Sequence, residues 1–152
     1  ALFDCPDLVH ELLQLVTYTY IDYMRKWKEF INEKNDFSTH WRLYTRGGIM
    51  IRNDTAVMLS PEQYDEFVKP YDQKLFDEFG GSVHFCGKGD FFIESMCRSR
   101  NLYGINVSQP ELNNMDLILK SCAENKIPLI GIDENLVPEN AKTGYIVYRS
   151  TR

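Results

Sequence analysis

The run Ser82-Val83-His84-Phe85-Cys86 sets an imidazole and a thiol two residues apart in a segment with strand character. Residues i and i+2 of a strand point to the same face, so both side chains can reach one metal ion. Zinc accepts this nitrogen and sulfur combination, and bound zinc makes an incoming thiol a nucleophile near neutral pH. Zinc needs at least three protein ligands, so His84 and Cys86 make only part of a site. The plainer reading of the pair is a buried cysteine beside a hydrogen-bonded histidine.

Other polar residues gather where further strands end: Arg52, Asn53 and Asp54, then Asn106, Ser108 and Gln109, then Asp133 and Glu134. In parallel α/β architectures ligands sit at the carboxyl ends of strands. Asp54 is therefore the candidate for acid–base chemistry. Asn53, Asn106 and Gln109 are candidate substrate contacts. Gly87-Lys88-Gly89 could approach a phosphate or carboxylate closely. Asp133 and Glu134 read equally as solvated loop carboxylates, and His10 and His40 as surface or packing residues.

The elements that position these residues follow from periodicity and punctuation. Leu8, Leu12, Leu15, Val16, Thr19, Tyr23, Trp27 and Phe30 recur at helical steps and predict a buried stripe on a long helix over about 6–34. Asp4 is its expected N-cap, with Pro6 in the first turn. Residues 37–46 read as an aromatic and basic loop. Short apolar runs at about 48–54, 82–86, 103–107 and 127–133 predict strands buried on both faces. Ser60-Pro61-Glu62-Gln63 is a helix start with a capping box, and Pro70 should kink or break the helix that follows. A short helix is expected at 91–98, and Ser108-Gln109-Pro110-Glu111 reads as a second capping box. Residues 144–148 are β-rich, without an assigned place.

This alternation predicts an α/β fold of parallel (β/α) units in a single domain. Without a Gly-x-Gly-x-x-Gly turn, a dinucleotide-binding sheet has little support. The chain has 152 residues, a net charge of −5 and scattered basic residues. That balance argues against nucleic acid as a partner. No apolar run has the length of a membrane span. Three of the four cysteines fall in apolar patterns, so thiols in a reducing, cytoplasmic compartment are expected.

The order of motifs resembles the uroporphyrinogen decarboxylase and cobalamin-dependent methyltransferase superfamily. Asn53-Asp54, Leu59-Ser60-Pro61-Glu62 and Phe67-Val68-Lys69-Pro70-Tyr71 are similar to the Asp, Ser-Pro-Glu and Phe-Val-x-Pro-Tyr run of decarboxylase relatives. His84-Phe85-Cys86-Gly87 resembles the His-x-Cys-Gly of the methyltransferase branch, and Asp7-Leu8-Val9-His10 the start of the preceding helix. The resemblance spans about residues 4–133. It implies the C-terminal half of a (β/α)8 TIM-type barrel, with His84 and Cys86 as zinc ligands. It also implies a thiol that accepts a methyl group from a corrinoid partner protein. Two departures stand out. The strand ending in Asn106 brings no carboxylate before Glu111, and no cysteine follows Cys122. On that resemblance the remaining strands and ligands lie elsewhere, and these residues alone are expected to be inactive.

Three functions follow as expectations: methyl transfer to a thiol, decarboxylation of a porphyrinogen in tetrapyrrole biosynthesis, and ligand binding without catalysis. A half barrel would also leave two strand edges open, and open edges invite pairing, so self-association is expected.

Overall fold

The computed structural model describes residues 1–33, 36–40, 43–133, 135, 137 and 139 and the backbone of 146–148. The parts of the expected elements at Lys34, Asn35, Glu134, Gly144 and Tyr145 lie outside the described residues.

The long helix α1 spans Pro6–Phe30, with Pro6 in its first turn. Its N-cap is Cys5, without a side-chain cap, rather than Asp4. The stripe expected to be buried is also the wrong one: Leu8, Leu12, Leu15, Val16, Tyr23, Trp27 and Phe30 are exposed. Thr17 and Ile21 are the residues buried on this helix. A helix with two apolar faces carries two candidate stripes, and its 3.6-residue period does not say which finds a partner. Here α1 lies against helices α2 (Pro61–Phe67) and α3 (Lys69–Phe79).

Residues 37–46 contain an antiparallel hairpin instead of a loop, β1 (Phe37–His40) with β2 (Leu43–Arg46). The other strands form one sheet in chain order: β3 (Ile49–Arg52), β4 (Gly81–Phe85), β5 (Leu102–Val107), β6 (Leu129–Ile132) and β7 (Ile146–Tyr148). Each pairs parallel with the next. The β-rich run near 146 therefore has a place, as the last strand. Helices α4 (Ile93–Cys97) and α5 (Met115–Glu124) fill later crossovers.

Register explains the two faces of this sheet. Ile51 pairs with Val83, Val83 with Ile105 and Ile105 with Leu129. Val83, Ile105 and Leu129 belong to one core with Tyr64, Phe76, Ile93, Met96 and Ile118 from the helices. Each such fully buried side chain stabilises the fold by roughly 1.5–3 kcal/mol. Arg52, His84 and Asn106 also pair across three strands. Successive residues of a strand alternate faces, so this polar row looks away from the helices. A shift after Gly81 sets the row, because Gly81 pairs with Leu102 but Ser82 with Gly104. A Cβ on Gly81 would stand 2.3 Å from the Ile49 carbonyl oxygen, so only glycine fits there.

Two helix starts illustrate the local rules. Ser60 accepts the Gln63 N–H while Gln63 accepts the Ser60 N–H, completing the expected capping box. Pro70 does break the helix: α2 ends at Phe67 and α3 begins at Lys69. The second expected box is not formed. A single turn occupies Pro110–Leu112, and α5 starts later, capped by Asn114 on the Leu117 N–H. No helix among the described residues is long and apolar enough to cross a membrane.

Candidate metal centre

Asp54, His84 and Cys86 meet at the carboxyl ends of β3 and β4. One donor atom from each lies within 4.8 Å of the other two. Cys86 Sγ is 3.3 Å from His84 Nε2, and that nitrogen is 3.5 Å from Asp54 Oδ1. The Cys86 N–H donates to the same Asp54 oxygen at 3.0 Å. The turn holding Asp54 is itself tied down. The Asn53 N–H donates to the His84 carbonyl at 2.9 Å, and the Ala56 N–H to the Asn53 carbonyl at 3.1 Å. Accessibility rises across the three donors. The His84 side chain is 1% exposed and that of Asp54 is 42% exposed, with Cys86 between them. The cluster has a buried floor and an open side.

His84 is oriented from behind. Its Nδ1 lies 2.6 Å from Asn106 Oδ1, while Asn106 Nδ2 donates to the Ile130 carbonyl at 2.7 Å. With the amide nitrogen committed to a carbonyl, the amide oxygen must face the ring. His84 Nδ1–H is then the donor, and Nε2 carries the lone pair that faces Cys86 and Asp54. This is how outer hydrogen bonds orient a ligating histidine. Gly131 makes room for the arrangement. Its φ is 70°, and a Cβ there would stand 3.0 Å from Asn106 Nδ2.

Burial raises the Cys86 thiol above its ordinary range, and the neighbouring Asp54 adds to this. The neighbouring Ser108 hydroxyl acts in the opposite sense, as does Arg52 more weakly. The sulfur is thus a protonated thiol at neutral pH. A cation beside it would reverse that state, since metal binding draws the proton from a coordinating thiol. Ser108, expected as a helix cap, caps no helix; its N–H donates to the Phe85 carbonyl at 3.1 Å.

The residues expected to touch substrate all make bonds within the protein. Asn53 Nδ2 donates to Asp72 Oδ2 at 2.6 Å inside the molecule. Burial pushes the Asp72 carboxyl up to about 7, partly offset by that amide. Asn106 serves His84. Gln109 Oε1 accepts the Gly87 N–H at 2.8 Å. Asn113, which the sequence reading passed over, accepts the Gly89 and Asp90 N–H groups and donates to the Gly87 carbonyl. The Gly87 and Gly89 amides of the turn are therefore already bonded and do not face a phosphate. Asp133 accepts two bonds from Asn135, and Glu134 lies outside the described residues.

His40, expected as a surface or packing residue, stands beside the site. The hairpin carries it to the polar face of the sheet, where its ring centroid is 5.5 Å from that of His84. Arg52 Nε donates to His40 Nε2 at 3.2 Å. Burial lowers the His40 pKa first, then the neighbouring Arg52 and His84, against a smaller opposing effect of Asp54. Only its place in an unrecognised hairpin could have signalled this. A depression of about 240 Å³ opens beside Asp36, Arg46, Gly80 and Tyr103. It lies at the amino end of β4, far from the three donors, and parallel α/β folds do not bind their ligands at that end.

No family model, curated protein or solved structure matches the chain.

Proposed function

We propose that these residues form the C-terminal half of a (β/α)8 barrel of the uroporphyrinogen decarboxylase and cobalamin methyltransferase type. In this reading Asp54, His84 and Cys86 hold a zinc ion that prepares a thiol for methylation by a corrinoid partner protein. The observation that carries it is the convergence of the three donor atoms within 4.8 Å at the carboxyl ends of adjacent parallel strands. Strand order supports the barrel. Five parallel strands follow one another in chain order, with the helix residues gathered into one core. A doubly wound sheet would instead reverse its order at a switch point.

The donor set fits the metal. Imidazole, thiolate and carboxylate are all zinc ligands, and three protein ligands leave a position for substrate. Zinc supplies a Lewis acid that lowers the pKa of a bound thiol. The chain's own residues do the rest. Asn106 keeps His84 Nε2 turned to the site. Asp54 supplies a carboxylate from the end of β3, in place of the one absent after β5. Its exposed side marks where a thiol enters. Decarboxylation of a porphyrinogen is the alternative. It would employ Asp54 but leave the His84–Cys86 pair without a role.

Cobalt(II), used in place of zinc, tests the reading. The expected result is a near-ultraviolet sulfur-to-cobalt band that weakens in Cys86→Ala and grows when 2-mercaptoethanol is added. A band that ignores the added thiol would argue against thiol activation and leave the decarboxylase alternative.

A further inference from the structure

The face of α1 directed away from the body of the protein is apolar and uncovered among the described residues. Leu8, Leu12, Leu15, Tyr23, Trp27 and Phe30 recur at helical steps and are between 45% and 81% exposed. Side chains of this size leave on the order of 800 Å² of apolar surface, against roughly 800 Å² per partner in a stable protein interface. Patches of this extent on soluble proteins mark interaction sites.

We propose that this stripe is the interface between two copies of the chain, paired through antiparallel α1 helices about a two-fold axis at Thr19. A two-fold interface must be self-complementary, and two apolar pairs of the stripe have that property. Leu15 and Tyr23 stand equally far before and after Thr19, as do Leu8 and Phe30. Antiparallel pairing sets Leu15 against Tyr23 of the partner subunit and Leu8 against Phe30 of the partner subunit. Thr19 is the small residue at the crossing, where helix axes come closest. In this register Lys26 stands opposite Leu12 of the partner subunit, one residue along from the partner's Glu11, which the lysine's long side chain can reach. Parallel pairing would set Lys26 against its own copy. A lipid surface suits the helix less well. Glu11, Asp22 and Glu29 flank the stripe and are exposed, where a membrane-lying helix carries lysine and arginine.

Sedimentation of the chain at micromolar concentration tests this, with Leu15→Glu and with Thr19→Cys in a Cys5→Ser background. The expected mass is twice the 17.8 kDa of the chain. Leu15→Glu should fall to the single-chain mass with an unchanged circular dichroism spectrum, since Leu15 is exposed. Thr19→Cys should form an intermolecular disulfide under mild oxidation. A wild-type monomer throughout, including one that binds phospholipid vesicles, would overturn the proposal. So would a dimer that survives Leu15→Glu or fails to cross-link at Cys-substituted Thr19; association would then belong to the open sheet edges.

Discussion

Asp72 lies behind the loop that carries Asp54, 8% exposed and bonded to Asn53. Its carboxyl is raised from 3.8 to about 7. Between those values the folded chain keeps a proton that the unfolded chain has released. Stability is therefore lost as pH rises across that window, by at most about 4 kcal/mol. Asp72→Asn keeps an acceptor for Asn53 and removes the titration. Its urea midpoint should be flat from about pH 4 to about pH 7, and above that of the wild type at higher pH. Parallel pH profiles for the two proteins would contradict this. Other residues of the site differ in how far sequence exposes them. His84 and Cys86 were legible because strand alternation is local. Asn106 was legible as polar and near the site, but not as the partner of His84. That pairing depends on the register shift at Gly81 between β4 and β5, which no local pattern encodes.

At the scale of elements, the capping box at Ser60 fixes where α2 starts after the Asp54 loop. Ser60→Ala should cost about 1 kcal/mol and lower Tm by about 2–4 °C in a chain of this size. An unchanged Tm would mean that the box contributes nothing here. The same Ser-x-x-Glu spelling at Ser108 predicted a cap that does not form. The helix starts six residues later, with Asn114 capping the Leu117 N–H, and a local motif worth only about 1 kcal/mol does not fix where a helix begins. Residues 37–46 concealed a hairpin for a related reason: its strands are four residues each, too short to show clear alternation. For α1 the period was right and the buried face was not. That choice rests with α2 and α3, which are distant in sequence.

Across the whole molecule, the succession of short apolar strands and helices was readable because each β-α unit is built from consecutive residues. Strand order then follows chain order through all five parallel strands. The edge of β3 away from β4 has no sheet partner among the described residues. Independently of the barrel, we propose that three side chains from two adjacent strand ends form one metal site. Zinc content of the purified chain, prepared under reducing and metal-replete conditions, tests it most directly. The prediction is about one zinc per chain, lost in both His84→Ala and Cys86→Ala while each remains folded. No zinc in the wild type, or zinc that survives either substitution, would contradict it.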